Sequence, residues 1–244
     1  MPRFSAFRSH ALGALIALVT LTACTATAMG DETRAVPAPK VDMPLAAKSG
    51  AQTALFAGGC FWGLQWVFEH VKGVTNVVSG YSGGAASTAR YERVSGGDTG
   101  HAESVRITFD PSKVSYAQLL HVYFSAATDP TQLNRQSPDA GTQYRGVIFY
   151  TDAQQKKIAG AYIAQLTAAK VYLAPIVTQV VPFKAFYPAE SYHQDYARLN
   201  PDGLYIVVND APKVKALQRL LPALYRVQPA IYRPQSGTIA VQAL

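Results

Sequence analysis

Thiols are scarce in this chain: its 244 residues hold two cysteines, Cys24 and Cys60. Dense basic clusters are absent as well. The formal charge of +7 is spread along the chain, which argues against a nucleic-acid partner and for a mildly basic surface. No internal repeat is evident. The apolar run at residues 11–21 is too short to finish as a membrane-spanning helix. His101 and Glu103 have the spacing of a metal pair on one strand face, but no third ligand accompanies them. The Pro-Cys-x-x-Cys that zinc deaminases add to His-x-Glu is also missing, so no metal site is expected.

What is present begins with a secretory signal. Arg3 and Arg8 precede the apolar run, which ends in Leu21-Thr22-Ala23-Cys24. That tetrapeptide resembles the bacterial lipobox, so residues 1–23 read as a lipoprotein-type signal peptide and Cys24 as a lipidated N-terminus. Ordinary cleavage after Ala26-Thr27-Ala28 is the competing reading. Either way Cys24 leaves redox chemistry and Cys60 has no partner in its own chain. Residues 24–52, rich in Ala, Thr and Pro, read as a flexible tether whose ends lie on the order of 30 Å apart. The expected place is the bacterial cell envelope, on the periplasmic side of a membrane. Residues 53–244 remain for one folded domain with a sizeable core.

Strand-like and helix-like segments alternate through that domain. Residues 55–57, 104–109, 146–150, 176–183 and 204–208 read as strands. Residues 64–71 and 213–221 read as helices. Ser115 with Gln118 opens another helix to about residue 126, and Thr151 with Gln154 one to about residue 168, both with capping-box spacing. The pattern implies an α/β or α+β domain with helices packed on a sheet. The Gly-, Ser- and Asp-rich stretches 80–100 and 129–144 read as long loops of the kind that carry function.

Cys60 sits in Gly-Gly-Cys-Phe-Trp-Gly (58–63), between a short strand and a helix. At a helix N-terminus the macrodipole and free N–H groups favour the reactive thiolate. The alternative from this segment alone is a buried, inert cysteine. The long loops supply further polar motifs: Gly-Tyr-Ser-Gly-Gly (80–84), Thr-Gly-His-Ala-Glu (99–103), Asp-Pro-Thr-Gln (129–132), Gly-Thr-Gln-Tyr-Arg (141–145) and Phe-Tyr-Pro-Ala-Glu-x-Tyr-His-Gln (186–194). Six motifs in this order resemble the A-class peptide methionine sulfoxide reductases, from about Phe56 to Tyr205.

The resemblance implies a two-layer α/β sandwich related to the ferredoxin-like plait, and reduction of the S epimer of methionine sulfoxide. Cys60 would attack the sulfur, and Glu103 would hold the oxygen and deliver its proton. Tyr91 and Tyr144 would donate hydrogen bonds to that oxygen. Phe61 and Trp62 would wall the methyl pocket, where sulfur–aromatic contacts contribute about 0.3 to 1.5 kcal/mol, and Asp139 would contact the substrate backbone or a water. No bound cofactor is implied. The partner would be an external thiol reductant, thioredoxin-like or another dithiol, acting on a monomer. The tail, residues 210–244, contains no cysteine and so resembles the single-cysteine type. Thr128 stands where many members have His before Asp-Pro-Thr-Gln.

Taken without the resemblance, each residue has a plainer role. Glu103 reads as a solvated strand carboxylate, Tyr91 and Tyr144 as two of fourteen packing tyrosines, Phe61 and Trp62 as core, and His193 as structural. A cysteine hydrolase pairing Cys60 with His101 or His193, and a surface-anchored binding module, are the rival functions.

Overall fold

The computed structural model describes residues 36–234 together with Met1. Its strands are β1 (Gln52–Ala57), β2 (Val74–Ser82), β3 (Ala102–Phe109), β4 (Arg135–Gln136), β5 (Asp139–Ala140), β6 (Val147–Tyr150), β7 (Gln179–Pro182) and β8 (Phe186–Pro188). The helices are α1 (Phe61–Glu69), α2 (Tyr91–Val94), α3 (Tyr116–Val122), α4 (Ala153–Ala168), α5 (Tyr196–Leu199) and α6 (Ala211–Leu220).

Alternation along β1 decides the layering. Ala54 and Phe56 join one buried cluster, Leu55 and Ala57 another. The first and larger cluster takes in Phe61, Leu64 and Phe68 of α1, Leu119 of α3, Tyr162 of α4 and Leu217 of α6. A helical layer therefore covers one face of the sheet. Phe56 lies at its centre, with ring centroids 5.6 Å from Phe68 and 5.3 Å from Tyr123. Burying such a side chain contributes about 1.5 to 3 kcal/mol. The opposite face is closed more thinly, by Val181, Phe183 and Tyr232.

The sheet order is β7-β6-β1-β3-β2-β8. Its inner four strands are antiparallel neighbours, and the order β1, α1, β2, β3, α3, β6 along the chain makes a ferredoxin-like βαββαβ unit. β7 adds in parallel to β6, and β8 antiparallel to β2. Ser115 caps α3 as the spacing predicts, with both arms of the capping box formed.

Several local expectations are corrected. Residues 204–208 are helical rather than a strand, and a wide π-type turn, Ile206–Asp210, leads straight into α6. β-branched content suggested a strand, but packing against α1 decided otherwise. Helix α4 is capped by Asp152, which accepts from the N–H groups of Gln154 and Gln155, not by Thr151. The presumed loop at 80–100 contains the end of β2 and all of α2, and that at 129–144 contains the β4–β5 hairpin.

The tether expectation also fails over residues 36–50. This stretch has no regular structure but is tied along the domain. Tyr162 donates to the Pro37 carbonyl at 2.8 Å, Gln165 to the Ala38 carbonyl at 2.8 Å, and Ser49 to Asp110 at 2.7 Å. Isolated composition could not show it, because the partners lie on elements far along the chain. Cys24 and the signal lie outside the described residues.

Candidate active site

The turn before α1 needs its glycines. Gly59 has φ of +96°, and a Cβ there would come within 2.7 Å of Gln136 Cγ. The Gly59 N–H donates to the Tyr144 carbonyl at 3.1 Å, which joins the turn to the second long loop. The turn delivers Cys60 to the N-cap of α1, 8% exposed, beside the N–H groups of the first helical turn.

Glu103 approaches from β3. It is 2% exposed, so it is not a solvated strand carboxylate, and its Oε2 accepts the Phe61 N–H at 3.0 Å. The Cys60 thiol lies close enough to the same carboxyl for the charge of each to bear on the other. Burial, with Asp139 and Asp210 nearby, pushes the Glu103 carboxyl up to about 8. Burial and the negative charges of Glu103 and Asp210 push the Cys60 thiol up as well. This corrects the expectation of a resting thiolate: burial and two carboxyls outweigh the helix N-terminus. Cys60 and Glu103 cannot readily ionise together, so the pair is best described as sharing protons.

Hydroxyls converge on this pair. The charges of Glu103 and Cys60 bear on both Tyr91 and Tyr144, and burial raises both phenols. Tyr91 is held by its backbone N–H, which donates to Glu190 at 3.0 Å, and Tyr81 donates to the same carboxylate at 2.8 Å. Asp139, on β5, accepts from the Tyr205 hydroxyl. Trp62 is stacked on Tyr196 at 3.9 Å, meets Tyr205 edge-on at 6.0 Å, and donates to His193 Nδ1 at 3.1 Å. Phe61 is 1% exposed, its ring against Tyr81 and His193.

The structure thus brings Cys60, Glu103, Tyr91, Tyr144, Trp62 and Asp139 to one place, with Phe61 beneath it. It adds Tyr205, Glu190 and Tyr196, which the motif reading did not place in the site. Glu190 lies inside a quoted motif and was findable there. Tyr205 follows an unremarkable Pro-Asp-Gly turn and carries no local signal.

Nothing in the geometry serves a hydrolase. Both ring nitrogens of His101 are engaged, by Gly84 at 3.2 Å and Ala85 at 3.0 Å, and His193 Nδ1 is taken by Trp62. Among the described residues no group of three or more His, Cys, Asp or Glu side chains is placed to hold a metal ion.

A family model described as peptide methionine sulfoxide reductase matches residues 52–222. A peptide methionine sulfoxide reductase of Mesorhizobium japonicum is 63% identical over 177 residues, which cover 72% of this chain and 91% of that protein. One from a Synechocystis strain is 50% identical over 188 residues, covering 76% of this chain and 88% of that protein. Among solved structures, methionine sulfoxide reductase A of Corynebacterium diphtheriae is similar with a TM-score of 0.55 at 33% identity, over 64% of this chain and 78% of that one.

Proposed function

The chain belongs to the peptide methionine sulfoxide reductase family, and from that membership and the buried Cys60–Glu103 pair we infer how it works. It reduces the S epimer of methionine sulfoxide, free or in proteins, at the expense of external thiols. Methionine sulfoxide is an apolar thioether with one polar oxygen. Trp62, Tyr196 and Tyr205 offer its methyl and chain an aromatic wall, and the Tyr91 and Tyr144 hydroxyls and the Glu103 acid face its oxygen. The oxygen accepts hydrogen bonds and then the Glu103 proton as the Cys60 sulfur attacks the sulfoxide sulfur. Attack forms a bond between the Cys60 sulfur and the now hydroxylated substrate sulfur. That bond and the methionine S–O bond then break as the hydroxyl passes to the Cys60 sulfur. The thioether leaves reduced by two electrons, Cys60 is oxidised by two to the sulfenic acid, and Glu103 is left as carboxylate.

The observation that carries this reading is the burial of Cys60 and Glu103 at one helix start, with the carboxyl fixed to the Phe61 N–H at 3.0 Å. The thiol proton can pass to Glu103, leaving thiolate beside a carboxylic acid, and that acid is the proton donor the departing oxygen requires. One protonation state supplies both nucleophile and acid. The hydrolase alternative finds no support: both ring nitrogens of His101 are engaged, and the unbonded Nε2 of His193 lies 3.9 Å from Glu190, with no histidine hydrogen-bonded to Cys60 among the described residues.

Resolution belongs to an outside partner in this reading. Residues 210–244 contain no cysteine, so the sulfenic acid meets an external thiol, forms a mixed disulfide with loss of water, and is freed by a second thiol. A thioredoxin-like dithiol suits both steps. No prosthetic group enters, since the electrons come from thiols. The lipobox-like Leu21-Thr22-Ala23-Cys24 supports a lipid-anchored, periplasmic monomer that repairs oxidised proteins in the bacterial envelope. Thiol-dependent turnover of resolved S and R sulfoxides by the full chain tests the reading. Reduction confined to the S epimer is expected, and turnover of R alone, or ester hydrolysis without thiol, would overturn it.

A further inference from the structure

Asp210 and Lys213 lie against the first turn of α1, outside every motif that pointed to the site. Asp210 is fully buried at the end of the π-type turn Ile206–Asp210, and Pro212 then opens α6. Its Oδ1 accepts from Lys213 Nζ at 3.2 Å, and Lys213 is itself only 16% exposed. The pair fits there because residue 63 is glycine. A Cβ on Gly63 would lie 2.1 Å from Asp210 Oδ1 and 3.0 Å from Lys213 Nζ, so any side chain would expel the pair.

Gly63 is three residues beyond Cys60, which places the two on one side of the helix. The notch therefore fixes a buried ion pair on the Cys60 side of the first turn. Asp210 Oδ2 has no hydrogen-bond partner among the described residues, which makes the pair a poor device for stability alone.

We propose that Lys213, locked in the Gly63 notch by Asp210, is a positioning residue that favours the Cys60 thiolate during attack. The proposal rests on the reading that Cys60 reacts as a thiolate. The groups that bear on the pair are Glu103 of β3, Asp139 of β5, Asp210 and Lys213, with the hydroxyls of Tyr91, Tyr144 and Tyr205. Glu103 and Asp210 oppose ionisation of Cys60, whereas the Lys213 ammonium favours it. Asp210 holds the cation in place and offsets part of its effect, so the two residues act on the thiol with opposite sign.

That opposition gives the test. The pH dependence of iodoacetamide reaction at Cys60 is followed in the full chain, with the Cys60 peptide quantified by mass spectrometry so that Cys24 does not contribute. Lys213→Met should move the midpoint up and slow alkylation near pH 8 by about three- to tenfold, a shift of roughly half to one pKa unit. Sulfoxide turnover should show a matching fall in kcat with KM within about twofold. Lys213→Arg should restore most of both, and Asp210→Asn should move the midpoint down. An unchanged midpoint in Lys213→Met, or no rescue by Lys213→Arg, overturns the proposal. So does a shift of Asp210→Asn in the same direction as Lys213→Met. Should Asp210→Asn fail to fold, the two Lys213 variants decide. Alkylation needs no sulfoxide, so variants that shift as described, in a protein whose wild type reduces no sulfoxide, refute the functional reading and not this one.

Discussion

Glu103 Oε2 and the Phe61 backbone N–H meet at 3.0 Å, which locks a strand carboxyl onto the helix start that carries the thiol. The two residues are 42 apart in sequence. The bond lowers the affinity of Glu103 for a proton, yet burial wins and holds the carboxyl up to about 8. The Cys60 thiol and the Glu103 carboxyl consequently titrate under each other's influence.

Replacing Glu103 by Gln should separate their roles. Sulfoxide turnover should fall by roughly 10²- to 10³-fold, the usual scale for a lost general acid. Alkylation of Cys60 above pH 8 should at the same time become faster, because the thiol loses a negative neighbour. Near-normal turnover in the variant would remove Glu103 from the mechanism.

The wild-type pH profile carries the same logic. Below about 8 the pair holds two protons, and the reactive combination of thiolate and carboxylic acid holds one. Plots of kcat/KM against pH should therefore rise through about 8 and fall once the last proton leaves. A profile already level from pH 6 to 9 would contradict a shared proton.

Tyr205→Phe removes the hydroxyl that donates to Asp139 while keeping the ring beside Trp62. One hydrogen bond to a charged group is worth about 1.5 to 3 kcal/mol at most. We expect kcat/KM to fall by about ten- to a hundredfold with little change in melting temperature. Unchanged kinetics would leave Asp139 without a role that depends on Tyr205.

Glu69 gives a prediction about stability alone. It is fully buried on α1, and burial, then the neighbouring Asp195, hold its carboxyl up to about 10. An unfolded glutamate loses its proton above about 4.3. Between those limits the unfolded state binds fewer protons than the folded state. Stability from this group is complete below that range and is lost as pH rises, by up to about 1.4 kcal/mol per pH unit. Glu69→Gln should flatten the fall in melting temperature from pH 6 to 9, and parallel curves would show that the group is not protonated in the folded chain.

The anchor is tested separately. Metabolic labelling with a palmitate analogue should tag the chain, and Cys24→Ser should abolish the label and release the protein from the membrane fraction. An unlabelled wild-type protein beginning near Met29 would mean ordinary signal cleavage.

Sequence by itself determined the chemistry of this protein. Cys60 between two glycines and two aromatics, His-Ala-Glu on an alternating strand, and the ordered polar loops carry local signals, because turn geometry and strand period are properties of neighbouring residues. The helices from Ser115 and near Asp152 were equally readable, since a cap is made within one turn. Tertiary structure decided what depends on distant partners. Residues 204–208 look like a strand, but the need to seat Asp210 against Gly63 is met by a helix with a wide turn. Residues 36–50 look like a tether, but Asp110, Tyr162 and Gln165 bind them to the domain. The protonation of Cys60 is the clearest case. Its place at a helix N-terminus is local and argues for thiolate, whereas the burial and two carboxyls that reverse the balance come from β3 and the turn before α6.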